Sequence, residues 1–309
     1  MSERQAGGEM LVVLALGNNA LLQPGDPFDP SGRRRNIRAA AKAVAEVARQ
    51  HRVVVTHGNG PQVGLLGGAS PQLTPYALDV LDAESEGMVG YLFEQELGRY
   101  LPRGRLATIL TQVRVDADDR AFAQPSVPVG PLLDETDARR IARARGWAVA
   151  PYGDGWRRVV PSPEPLEIVE LEAIRILVDH GIVVTCTGGG GIPVAHHDDG
   201  GLMGVEAVID KDLAAGLLAV DLGADALILL TDVEAVCEGW GTDGARQIGA
   251  TTTAELRSLE LPKRSMGPKV EAICRFVDAR GPLGAIGALA DAAALVRGEV
   301  GTVVRARAD

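Results

Sequence analysis

Residues 182–212 read IVVTCTGGGGIPVAHHDDGGLMGVEAVIDKD, and the expected fold class is built outward from them. The opening run, 182–187, is apolar and β-branched, as expected of a strand buried on both faces of a parallel sheet. It ends in Gly188, Gly189, Gly190 and Gly191. Four glycines in succession cost backbone entropy, which makes sense where the chain must turn sharply or approach something closely. Successive N–H groups in such a turn form an anion-binding concavity. Lys211 then stands between Asp210 and Asp212. The stretch reads as a phosphate cradle followed by a phosphate-neutralising lysine.

Residue usage sharpens that expectation. Of 31 basic residues, 27 are arginine and only Lys42, Lys211, Lys263 and Lys269 are lysine. Where charge merely solubilises, this chain uses arginine, so a lysine points to a site needing a compact, flexible point charge. Lys211 and Lys269 are the two candidates, and a surface salt bridge is the bland alternative for each. The net charge of −10 over 309 residues argues against nucleic acid or an anionic membrane as the main partner. Cys186, Cys237 and Cys274 are scattered, giving neither a disulfide framework nor a metal pattern and suiting a reducing cytoplasm. No signal peptide opens the chain, and no uncharged apolar run reaches the ~18 residues of a membrane span.

Further buried strands are expected at 10–16, 53–56, 107–113, 226–231, 283–288 and 302–305. Helices are expected over 36–50, 78–99, 168–180, 205–222 and 270–280. The first strand runs into Gly17-Asn18-Asn19, the second into His57-Gly58-Asn59-Gly60, the third into the four glycines and the fourth into Asp232-Val233. In open parallel sheets ligands sit beyond the carboxyl ends of the strands, so these ends converge on one crevice. Between 116 and 165 prolines and arginines replace the alternation. That stretch reads as an inserted subdomain protruding over the site as a lid, or else as a long irregular connection.

Neither the nucleotide P-loop nor the dinucleotide fingerprint is present. Phosphoryl transfer is mainly positioning and charge stabilisation of the moving group. Amides of Gly17, Gly58 and Gly189 are candidates to hold oxygens, Lys211 and Lys269 to neutralise charge, and Asp210 to orient a lysine. His196-His197-Asp198-Asp199 reads as a solvated loop, since adjacent residues seldom all face one ion, and no metal-ligating set of side chains is singled out. His57 reads as a structural hydrogen-bonder and Cys186 as inert core.

Several strings together resemble the carbamate kinases of the amino-acid kinase superfamily. They are ALGNNAL (15–21), THGNGPQVG (56–64), EGMVGY (86–91), TQVRVD (111–116), GWRRVVPSP (155–163), GGGGIPV (188–194), GVEAVIDKD (204–212), LTDV (230–233) and SMGPKV (265–270). The resemblance implies an α/β fold, a three-layer αβα sandwich with a mainly parallel sheet and the protruding lid. It implies an N-terminal lobe over 1–204 for the acceptor and a nucleotide-binding lobe over 205–309. It also implies a homodimer and reversible transfer between ATP, with Mg²⁺, plus carbamate and ADP plus carbamoyl phosphate. Asn19, Gly58 and Asn59 then fall on the carbamate side, with Gly17, Asn18, Gly60, Gly189 and Gly190 beside them. Lys211, Asp232, Cys237, Met266 and Lys269 fall on the nucleotide side, with Asp210 as organising carboxylate.

The chain also departs from that pattern. Asn18 replaces a glycine of the first loop, and Val127 stands where a lid lysine is expected. Cys237 stands for a tyrosine, Arg264 for a glycine, and Arg120 where proline is common. A transfer-deficient binding relative, or a kinase retuned to another small carboxylate acceptor, is therefore the alternative expectation.

Overall fold

A computed structural model describes residues 8–17, 30–59, 76–242, 244–262, 265–279 and 281–305. Its centre is an eight-stranded sheet of β1 (Leu11–Leu16), β2 (Arg52–His57), β3 (Leu106–Thr108), β4 (Val183–Thr185), β5 (Ala226–Thr231), β6 (Ala250–Thr251), β7 (Leu283–Ala288) and β8 (Thr302–Arg305). Across the sheet they run β6-β8-β7-β5-β1-β2-β4-β3. Every neighbouring pair is parallel except β7 and β8. Strands from before and after position 204 thus share one sheet.

Strand β1 explains the layering. Its side chains alternate faces, as a strand's must. Leu11, Val13 and Ala15 join one core, while Val12, Leu14 and Leu16 join the other. Helices Leu171–Asp179, Lys211–Leu222 and Met266–Asp278 supply the first core with Ile174, Leu218 and Ile273. Helices Pro30–Ala48, Leu78–Leu97 and Ala292–Arg297 supply the second with Val44, Phe93 and Leu295. Both faces of the sheet are covered, which is why its strands read as continuous apolar runs. This is the expected αβα sandwich.

A second sheet, ordered Leu202–Gly204, Ile192–His196, Gln112–Arg114, Glu167–Ile168, lies beside the first. The inserted segment forms a separate sheet of three antiparallel strands, Val127–Leu133, Gly155–Val160 and Ala148–Tyr152, with helix Glu135–Arg145. Both ends of that insert are paired: Val113 lies opposite Ile168, and Arg114 Nε donates to Glu167 Oε2 at 2.7 Å.

Four expectations need correction. The strand expected over 107–113 is two strands in different sheets, because the chain leaves β4 after Thr108 and pairs with Ile192–His196 from Gln112. The helix expected from 205 begins at Lys211, where Asp210 caps it by accepting the Asp212 and Leu213 N–H groups. The helix expected from 36 begins at Pro30, whose missing N–H is harmless in a first turn. Glu167–Ile168 is strand rather than helix, and the helix starts at Leu171.

Candidate active site

The carboxyl ends of β1, β2, β4 and β5 present Gly17, Gly58, the glycine turn and Asp232 at one edge of the sheet. Asn18, Asn19 and Gly60 lie outside the described residues. Gly17 N–H donates to Leu230 O at 2.9 Å, and Gly58 N–H to Leu16 O at 3.1 Å. Those two amides extend the sheet and are not free for a substrate oxygen, which corrects the role expected for them. A Cβ on Gly17 would meet Leu230 O at 3.0 Å, a tight contact that the backbone would have to ease by a few tenths of an ångström.

The glycine turn is a short 3₁₀ segment, Gly188–Gly190, in which Gly189, Gly190 and Gly191 all have positive φ. Gly190 N–H and Gly191 N–H close the turn on Thr187 O and Gly188 O. Among the described residues, the Gly189 amide alone of the expected trio is left without such a partner. A Cβ on Gly189 would sit 2.1 Å from Asn59 Nδ2, and one on Gly190 2.3 Å from Ile209 O. The turn therefore packs directly against Asn59 on one side and the Asp-Lys-Asp segment on the other. Asn59 is buried and pinned, its Nδ2 donating to Ser85 Oγ at 2.7 Å.

The two scarce lysines meet here. Lys211 Nζ lies 2.5 Å from Asp212 Oδ1, and Lys269 Nζ lies 2.9 Å from Asp212 Oδ2. Lys211 is the first residue of its helix and Lys269 sits in the first turn of Met266–Asp278. Both cations therefore stand at helix N-termini, where the backbone already favours an anion. Burial pushes the Asp212 carboxyl up, but the two ammonium groups outweigh it and hold the group below its ordinary value. Burial and the neighbouring Lys211 lower Lys269.

Asp212, not Asp210, is the carboxylate that organises the lysines. Asp210 spends Oδ1 on the helix cap, and burial and then the Asp212 charge raise its pKa. The sequence placed both acids next to Lys211 but held no signal for which one turns toward it. The second Asp210 oxygen has no hydrogen bond to a described residue. It is an oxygen donor of the kind that Mg²⁺ accepts when the ion arrives with a nucleotide's phosphates. Among the described residues no trio of His, Cys, Asp or Glu is grouped to hold a metal by itself.

Thr231 Oγ1 donates to Asp232 Oδ1 at 3.0 Å at the end of β5. Cys237 opens a short strand and is half-buried, its thiol 3.8 Å from Ala235 O. Met266 begins the Lys269 helix and packs on the core. Arg264 lies outside the described residues. His57 is buried with Nδ1 3.2 Å from Gly58 O, and its Nε2 has no partner among the described residues. Burial lowers it to about 4, so it is neutral at neutral pH. Cys186 is buried and its thiol pushed far up by desolvation, so it is inert. His197 and Asp199 pair with each other in an exposed loop.

In the insert, Val127 is half-buried and packs with Leu78, Val160 and Val208. Arg158 shares its face, since Val127 lies opposite Val160 and Val129 opposite Arg158. Arg158 stacks 4.1 Å from the Trp147 ring and donates to Glu206, whose other oxygen accepts the Leu78 N–H at 3.0 Å.

Comparison with known proteins agrees with this geometry. The family model for the amino acid kinase family matches residues 10–284. A carbamate kinase of Rhizobium meliloti is 52% identical over 96% of this chain and 93% of its own length. One from Escherichia coli K12 is 45% identical over 95% and 98%. A solved carbamate kinase from Giardia lamblia bound to AMP-PNP superposes with a TM-score of 0.90 at 36% identity, covering 97% of this chain and 99% of that one. With a family model spanning most of its length and relatives this similar over nearly all of it, the chain belongs to the amino acid kinase family and, within it, to the carbamate kinases.

Proposed function

We propose that the enzyme transfers a phosphoryl group reversibly between ATP and carbamate, giving ADP and carbamoyl phosphate. The observation that carries this is the bridge of Lys211 and Lys269 by Asp212, directly beside a glycine turn. One carboxylate holds two ammonium groups in place at the N-termini of two helices. Such fixed charge suits a migrating phosphoryl group, because it needs no rearrangement as charge shifts. The nucleotide then lies over Asp232, Cys237, Met266 and Lys269, and carbamate lies over Asn19, Asn59 and Gly189. Mg²⁺ bound with the nucleotide would neutralise phosphate charge, and Asp210 would help hold it through the carboxylate oxygen that the helix cap leaves uncommitted. Placing the acceptor near residues 1–204 and the nucleotide near 205–309 divides the labour within one sheet.

The insert serves as the lid, and Arg158 is the cation it carries on the Val127 face. The protein works as a homodimer in the cytoplasm. Exposed Tyr91, Leu110 and Met203 offer apolar surface for a second copy, and three unpaired thiols fit a reducing compartment. No helix among the described residues is long and apolar enough to cross a membrane.

The deciding experiment incubates the pure protein with carbamoyl phosphate, ADP and Mg²⁺ and measures ATP. Stoichiometric ATP supports the reading. ADP binding without ATP formation replaces it with a transfer-deficient one, which the relatives do not favour.

A further inference from the structure

Beneath the glycine turn lies a second cluster that the reaction as described leaves unused. Glu86, in helix Leu78–Leu97, is buried at 1% exposure. Its Oε1 accepts the Gly188 N–H at 2.7 Å and its Oε2 accepts the Thr111 N–H at 3.1 Å. Thr111 Oγ1 in turn accepts the Thr187 N–H at 3.0 Å. Thr187, immediately before the turn, is the only described residue other than glycine with positive φ. There is no slack in this packing: a Cβ on Gly188 would lie 2.4 Å from His57 Cε1 and 2.8 Å from Glu86 Cγ.

A buried carboxylate without a cation is a poor way to add stability. The titratable groups facing Glu86 are Asp82 on its own helix, Glu170, Cys186 and His57, and none is a cation at neutral pH. What a carboxylate does offer is two acceptors at a fixed spacing. Here they take one N–H from each of two segments 77 residues apart in sequence. One is the turn itself. The other is the corner where the chain passes from β3 to the second sheet.

We propose that Glu86 is a positioning residue for the acceptor half of the site: it clamps the 188–191 turn to Thr111 and thereby sets where the oxygens of the carboxyl-type acceptor dock. This rests on the phosphotransfer reading. The nucleotide half is untouched, because Glu86 makes no bond to Lys211, Asp212 or Lys269. Burial pushes the Glu86 carboxyl up to about 8, while the Thr111 and Gly188 N–H groups pull it back. Protonation converts one of its two acceptors into a donor facing an N–H, so the clamp loosens as pH falls through that range.

The test is Glu86→Gln, which keeps size but faces an amide NH₂ toward one of the two backbone N–H groups. Initial rates of ATP formation are measured above pH 8, where the Glu86 carboxyl is ionised, against carbamoyl phosphate and against ADP, with thermal melting as the folding control. The expected result is a folded variant whose KM for carbamoyl phosphate rises about tenfold or more while its KM for ADP stays within about twofold. Unchanged constants, or equal rises in both, overturn the proposal, since a structural role has no reason to separate the two substrates. Should Glu86→Gln fail to fold, the wild-type profile decides between pH 6.5 and 8.5. KM for carbamoyl phosphate falling as pH rises, with KM for ADP flat, supports the clamp, and parallel or flat profiles overturn it. A wild-type protein that makes no ATP at any pH removes the transfer reading, and the clamp with it.

Discussion

The two halves of the site are built on opposite electrostatic plans. Around Lys211, Asp212 and Lys269 the charges are real and matched, each carboxylate oxygen of Asp212 holding one ammonium group. Around Glu86, Asp82, Asn59 and His57, polar groups are buried without a cation, and burial drives the acids up and the histidine down toward neutrality. On the proposed function, the difference follows the cargo. A polyanionic nucleotide calls for fixed positive charge, whereas a small acceptor has to be aimed by backbone whose position is locked.

The largest effect that would test this contrast is on the charged side. Lys211→Ala should lower the transfer rate about 10³-fold or more, with the melting profile preserved; near-normal turnover would remove Lys211 from the mechanism. Asp212→Asn comes next, with a loss of about 10²-fold. Lys269 also loses the partner that raises its pKa, so the alkaline limb of the rate profile should move to lower pH. An unmoved limb would mean that Lys269 ionisation does not control the rate.

On the neutral side, Gly189→Ala forces a side chain at φ 70 into the Asn59 amide. The expected result is a rise of about tenfold in KM for carbamoyl phosphate with little change for ADP. Equal effects on both substrates would erase the division drawn here.

The smallest effect is on stability. Glu86 binds its proton more tightly folded than unfolded, about 8 against an ordinary 4.5, and Asp82 shifts the same way. Their contribution is therefore present at low pH and is lost as pH rises toward 8. His57, lowered to about 4 from 6.5, contributes a constant amount above pH 6.5. Between pH 6.5 and 8 the melting temperature should fall as pH rises. One linked proton is worth about 1.4 kcal/mol per pH unit, or about 2 °C for a chain of this size. Glu86→Gln should flatten that slope, and an unchanged slope would assign it elsewhere.

Much of this architecture is legible in the chain because its strands are buried on both faces. The runs at 226–231, 283–288 and 302–305 match their strands residue for residue. What pattern alone misses is where a strand changes sheets. The stretch from Leu106 to Arg114 is apolar enough to read as one strand, and nothing local marks the corner at Thr111. The lysines stand out through rarity, and the structure does bring them together. Choosing Asp212 over Asp210 depends on which residue starts the helix, since each step along a helix turns a side chain by about 100°. Glu86 opens the EGMVGY string, but its task is illegible there for a different reason. Its partners lie 25 and 102 residues away, and neither is a side chain.

The insert hangs by a clamped stem. Its entry and exit strands are zipped together at Val113 and Ile168, and the entry strand is zipped to Ile192–His196, which starts one residue after the last glycine of the turn. Any swing of the insert therefore reaches the body at two places, through the stem that leads to the glycine turn and through the contacts of Val127 and Arg158 with Leu78 and Glu206.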